Sequence, residues 1–195
     1  VEGRLVGAFA GLIAVIVVAA TFMTSEYRRG LIRTSLAAGP RRGRVLAAKS
    51  VVIGAVTFVT GLAAALVATP LVRAVEAGKG FYAFPVPTAT ELRVLVGTAA
   101  LLAVTAVFSL AVGAVLRRSA GAVAAVIVAI VLPYVLAIAS VLPVGPSDWL
   151  LRVTPAAAFA VQQSLPEYHQ VTAAYTPADG YFPLSPAGGF AVLCG

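Results

Sequence analysis

The amino-acid sequence predicts an all-α membrane protein: a polytopic transmembrane helix bundle with a short amphipathic segment on one side and a loop-and-helix segment on the other. Three observations predict it. First, 61% of the 195 residues are hydrophobic, 11% are charged, and the mean hydropathy is +1.00. Soluble domains are about 45–50% apolar and about 25% charged, and a soluble chain of this size has too little interior to hide so much apolar surface. Second, four stretches carry no charge and are each long enough to cross a bilayer. Third, the net charge of +7 comes from cations that lie in the breaks between those stretches, which is the membrane pattern rather than a nucleic-acid footprint.

The uncharged stretches are Leu5–Thr24 with 20 residues, Ser50–Val72 with 23, Val94–Leu116 with 23 and Ser119–Ser147 with 29, the last taken as a span over 119–143. A helix needs about 20 apolar residues to cross a hydrocarbon core about 30 Å thick. A barrel strand needs only about 9–11 residues and alternates in polarity, and none of these stretches alternates. Backbone groups in lipid must bond within their own segment, so the spans are expected to be helices. A further span is expected to begin near Ala187 and run to Gly195. Because the chain opens at Val1 without Met and stops inside that apolar stretch, it is expected to be a fragment lacking helices at both ends. The opening run has neither the short basic leader nor the cleavage-like end of a signal peptide. Twelve of the 14 cations are Arg, and Ala and Val dominate, a usage expected of a GC-rich bacterial gene and hence of a bacterial plasma membrane.

Cation counts orient the spans. Residues 25–49 carry Arg28, Arg29, Arg33, Arg41, Arg42, Arg44 and Lys49, and the break at 117–118 carries Arg117 and Arg118. Alternation puts both breaks on one side, giving nine cations there against five opposite, namely Arg4, Arg73, Lys79, Arg93 and Arg152. Residues 25–49 and 117–118 are therefore expected to be cytoplasmic and 145–186 extracytoplasmic. Gly3, Gly7 and Gly11 form overlapping small-xxx-small steps, expected to mark a helix-packing face. Pro133 is expected to kink the fourth span. In the outer segment, Asp148–Leu165 carries Trp149, Leu150, Val153, Ala157 and Val161 mostly at helical spacing. It reads as a helix lying on the membrane surface or capping the bundle, with Trp149, Tyr168, Tyr175, Tyr181 and Phe182 as interfacial anchors.

The stretch from Thr24 to Lys49 is longer than the roughly 2–8 residues that usually join two bundle helices. Thr24 or Ser25 is expected to cap a new helix, with Glu26 in its first turn. Tyr27, Leu31 and Ser35 or Ala38 recur on one face, with Arg28, Arg29 and Arg33 off it. Gly39-Pro40 ends that helix, and Arg41, Arg42 and Arg44 precede the next span. A free surface helix of about four turns is marginal in water, so it needs either the membrane surface or a partner to dock on.

The order Glu26-Tyr27-Arg28, Gly30-Leu31, Arg33-Thr34, Leu36, Pro40-x-Arg42 and Ala48-Lys49 resembles the type-2 family of ATP-binding-cassette (ABC) permeases. Leu31-Ile32 stands where the family commonly has Thr-Leu, and Pro155–Gln163 looks like outer loops of actinobacterial members. Only Glu26–Lys49 is specific. The resemblance implies a six-helix subunit of which this chain holds helices two to five and the start of six. It implies that residues around Glu26–Leu36 form a coupling helix seated on a separate ABC ATPase (nucleotide-binding) subunit, with Glu26, Tyr27, Arg28, Gly30, Leu31, Arg33, Pro40, Arg42 and Lys49 as the partner-binding residues. It implies a second permease subunit, as homo- or heterodimer, and ATP with Mg bound in the partner.

The chain itself is expected to bind no cofactor and to catalyse nothing. Gly78-Lys79-Gly80 lacks the spacing and the Ser/Thr of a phosphate-cradling loop. Ser164, His169 and Asp179 allow a triad to be drawn, but no nucleophile-elbow pattern surrounds any Ser. Cys194 alone cannot build a disulfide or metal site and reads as a small apolar residue. The four spans lack mid-membrane ionisable residues, which disfavours an ion-coupled carrier. Thr57, Thr60, Thr98, Thr105 and Ser109 are candidate lining groups for a hydrophobic or amphiphilic substrate. A non-transporting membrane scaffold or sensor-associated protein is the alternative reading.

Overall fold

The computed structural model describes residues 2–28, 42–79, 87–139, 142–163 and 182–194. Among these there are helices and no strands, as lipid requires of a chain whose backbone groups must pair within each segment. Helix α1 spans Glu2–Arg28 and α2 spans Arg42–Gly78. Helix α3 spans Thr88–Leu116 and α4 spans Ser119–Val126. A π-helical turn, Ile127–Val131, joins α4 to α5, Leu132–Ile138. Helix α6, Val144–Val153, leads into a 3₁₀ segment, Pro155–Gln162, and α7 spans Pro186–Cys194. Four helical runs are long and apolar enough to cross a membrane: Gly7–Ser25, Gly43–Val75, Thr88–Leu116 and Ser119–Ile138.

Helix α1 does not stop at Thr24 or Ser25, so these residues do not cap a new helix as their residue types suggest. Thr24 Oγ1 donates to the Ala20 carbonyl at 2.9 Å and Ser25 Oγ to the Phe22 carbonyl at 2.9 Å. No Gly or Pro interrupts the run to Arg28, and in an apolar setting a hydroxyl satisfies itself on the preceding turn instead of ending the helix.

Helix α2 is the longest, at 37 residues, and keeps Pro70 inside it. At about 1.5 Å per residue it extends some 55 Å, well beyond the hydrocarbon core. Only 6% of its most apolar stretch is buried, so the described residues leave most of its circumference uncovered. The exception is the seam with α3, where Gly54 lies against Val107 and Gly61 against Leu102 and Ala99. That pairing runs antiparallel, and an Arg73–Glu91 ion pair of 2.7 Å ties the far end of α2 to the start of α3.

Helix α3 ends on Arg117, whose φ of 54° and ψ of 11° are left-handed, with its N–H donating to the Gly113 carbonyl. A position that usually takes Gly is here an arginine, and Arg118 is extended before α4 begins. The reversal is therefore tight and basic.

Pro133 does perturb the fourth span, one turn earlier than its own position. Lacking an N–H, Pro133 cannot bond to the preceding turn. The helix widens just before it, and the Leu132 N–H donates to the Ile127 carbonyl five residues back. Such single widened turns are rare and frequently sit at functional sites.

Asp148–Leu165, expected as one helix on the membrane surface or capping the bundle, is not one continuous helix over its described part, 148–163. The helix breaks at Thr154, which is extended, and Pro155 starts a 3₁₀ run in which Ala156 through Val161 are all buried. Trp149 and Val153 are exposed, as on an interfacial helix, whereas Leu151 between them is buried and the Ala-rich half inserts into the bundle. Small side chains permit this: a Cβ added at Gly189 would overlap the Ala157 carbonyl, and one at Gly97 would overlap Val161. The core closes around Leu12, Ile16, Leu101, Val126, Ile130 and Phe159. A stack of Phe9, Tyr134 and Phe159, with centroids 5.7 and 3.9 Å apart, links α1, α5 and the 3₁₀ segment.

Of Gly3, Gly7 and Gly11, expected to mark a packing face, Gly7 and Gly11 have no described residue within 4 Å of an added Cβ, and the surroundings of Gly3 lie outside what the structure describes. The close approaches are made instead at Gly54, Gly61, Gly97, Gly113 and Gly189, where Gly113 sits against the Ala20 carbonyl and Met23.

Candidate functional site

The contacts fix which helix ends lie together. Gly113 near the end of α3 touches Ala20 and Met23 near the end of α1, so α1 and α3 run parallel. Helix α2 is antiparallel to α3, as the Gly54–Val107 and Gly61–Ala99 contacts require. The end of α1, the start of α2 and the Arg117–Arg118 reversal therefore occupy one end of the bundle. Arg44, Arg117 and Arg118 are exposed there, and Arg117, the C-cap of α3, lies at the negative end of that helix dipole.

The residues singled out by sequence distribute as follows. Glu26, Tyr27 and Arg28 form the last turn of α1, with their side chains outside what the structure describes. Arg42 opens α2, and Lys49 lies two turns further in, half-buried. Gly30, Leu31, Arg33 and Pro40 fall outside the described residues, as does the expected helix they belong to. The structure thus places both anchors of the segment, Glu26–Arg28 and Arg42–Lys49, at a shared basic end.

The candidate lining hydroxyls are carried by α2 and α3. Thr60 is exposed on α2 and donates to the Val56 carbonyl at 2.8 Å, while Thr57 is buried. Thr105 and Ser109 are buried on α3, where Ser109 Oγ donates to the Thr105 carbonyl at 2.7 Å and Thr105 Oγ1 has no partner. Thr98 lies about two turns nearer the start of α3, where its Oγ1 is 3.5 Å from Gln162 Nε2. Ser164, His169 and Asp179 lie outside the described residues, as do Tyr168, Tyr175 and Tyr181. Cys194 is exposed on α7, and among the described residues no cluster of His, Cys, Asp and Glu suited to a metal is present.

A polar seam at the opposite end escaped sequence reasoning. The Arg93 guanidinium donates to the Gln163 carbonyl, Gln162 reaches Thr98, and the Phe182 N–H donates to Gln163 Oε1 at 3.4 Å. Gln162 Oε1 is buried without a partner. The signal was two adjacent amides directly after an Ala-rich apolar run, which membrane cores seldom tolerate without a reason.

No protein-family model matches this chain, and the searches of curated proteins and of solved structures found no similar protein.

Proposed function

We propose that the chain is the membrane-spanning permease subunit of an ABC transporter, exporting a hydrophobic or amphiphilic substrate with ATP hydrolysed by a separate subunit. The observation that carries the reading is the residue order Glu26-Tyr27-Arg28 through Pro40-x-Arg42 to Lys49, set between α1 and α2 at the basic end of the bundle. Because α1 continues unbroken into Tyr27 and Arg28, a push on residues 26–42 is transmitted along a rigid rod into the bilayer. This is the mechanical property a coupling segment needs. Positive-inside charge places that end in the cytoplasm, where ATP is available. The interior supports an apolar substrate class: among the described residues, no Asp, Glu, Lys or Arg is buried.

In this mechanism two ATPase subunits close on ATP, each carrying the coupling segment of one permease subunit with it, and the pair of permeases rocks between inward- and outward-facing states. Tyr27 and Leu31 supply the apolar docking contact, while Glu26 and the arginines pair with charges on the ATPase. The test is ATP hydrolysis by the full permease reconstituted with its copurified nucleotide-binding subunit. Glu26→Ala or Tyr27→Ala lowers substrate-stimulated hydrolysis while membrane insertion is retained. Unchanged stimulation in both variants overturns the assignment.

A further inference from the structure

The 3₁₀ segment Pro155–Gln162 is eight residues long, whereas such runs rarely exceed about 3–4 residues because their hydrogen bonds are poorly aligned compared with those of an α-helix. It is nonetheless the most enclosed of the described elements, with Ala156–Val161 buried consecutively. It packs closely: Gly97 on α3 receives Val161, Gly189 on α7 receives the Ala157 carbonyl, and Phe159 stacks on Tyr134. The polar contacts that hold it are concentrated at its C-terminal end, on Arg93, Thr98 and the Phe182 N–H. In this position Gln162 Oε1 is buried with no partner. A buried amide oxygen without a donor is costly, and each such group in a native fold calls for an explanation.

A long 3₁₀ run, glycine positions that receive it, a latch at one end and an orphaned amide at that latch have one common explanation. We propose that Pro155–Gln162 is a movable plug that closes the bundle at the Arg93 end, with Arg93 and Thr98 as its latch. In the open state the segment relaxes to α-helix. Eight residues then shorten from about 16 Å to about 12 Å, Val161 withdraws from the Gly97 notch, and Gln162 turns its amide to water. Pro155, at the first position of the run, is compatible with either helix type. The proposal does not depend on the transport reading.

The experiment uses the full chain in lipid nanodiscs with Cys194→Ser as background. Ala158→Cys, fully buried in the plug, reports opening by its rate of reaction with a membrane-impermeant maleimide. Leu110→Cys, fully buried on α3, reports loosening of the whole bundle. The plug predicts that Arg93→Gln raises the Ala158→Cys rate by about tenfold, the scale of one charge-assisted hydrogen bond. Thr98→Val raises it less, and Leu110→Cys stays protected in both. An Ala158→Cys rate unmoved by both variants overturns the proposal, and so does parallel exposure of Leu110→Cys. Hydrogen exchange on the protein without added cysteines gives a second reading: amides of 156–163 exchange ahead of those of 99–110, and exchange of the two sets together also overturns it.

Discussion

Gly189→Ala tests the packing of the 3₁₀ segment against α7. The added Cβ would come closer to the Ala157 carbonyl oxygen and carbon than the 3.0 Å that real Cβ atoms keep, and would also press on the Ala160 Cβ at 3.2 Å. The obstacle is backbone, so no rotamer change relieves it, and α7 must move away from the segment it covers. Overpacking of this kind costs about 1–3 kcal/mol. Replacing a helical glycine by alanine returns about 0.5–1 kcal/mol. The net expectation is a loss of about 1–2 kcal/mol, read by titrating the purified protein from dodecylmaltoside into SDS mixed micelles and following helix content. Gly7→Ala and Gly11→Ala are the internal controls. Both positions face open space, so each gains about 0.5–1 kcal/mol from helix propensity alone. If Gly189→Ala matched those two controls, the tight contact between α7 and the 3₁₀ segment would be refuted, and with it the burial of Ala156–Val161.

Two further predictions concern the same core. Phe159→Ala removes the plug's own ring from the face of Tyr134 and leaves a cavity, costing about 3–5 kcal/mol in the same titration; a cost under about 0.5 kcal/mol would place Phe159 in lipid instead. Pro133→Ala restores an N–H to the fourth span, so the widened turn at Ile127–Val131 reverts to regular α-helix, visible in a structure of the variant as a bond from residue 132 to residue 128. Persistence of the π-turn in that variant would show that tertiary packing, not the proline, holds it.

The helices were legible in the sequence because lipid imposes a simple rule. Runs such as Val94–Leu116 must be uncharged and about 20 residues long, and α3 covers that run with one extra turn or so at its start. Helix ends were less legible. Thr24 and Ser25 have the residue types of N-caps, but the same hydroxyls bond backward within a continuing helix, and composition does not distinguish the two. Glycine spacing identified Gly7 and Gly11, whereas the packed glycines are Gly97 and Gly189. Spacing along one helix says nothing of which helix lies opposite it. The insertion of Ala156–Val161 was hidden for a related reason. An apolar stripe reads alike whether it meets headgroups or a bundle interior, and alanines small enough to enter a crevice give no distinctive pattern. At the candidate site, the motif residues Glu26–Arg28 and Arg42–Lys49 were legible by type and order. The polar seam of Arg93, Thr98, Gln162 and Gln163 was not, because its members are 64 and 70 positions apart in the chain.

The account rests on the basic end of the bundle facing the compartment that holds ATP. Thiol labelling of Arg44→Cys and Lys79→Cys, both exposed positions at opposite ends of α2, in the Cys194→Ser background settles this with a membrane-impermeant reagent. In right-side-out vesicles Lys79→Cys reacts and Arg44→Cys does so only after permeabilisation. The reverse pattern would put residues 26–44 outside the cell, beyond reach of any ATPase, and would contradict the permease assignment.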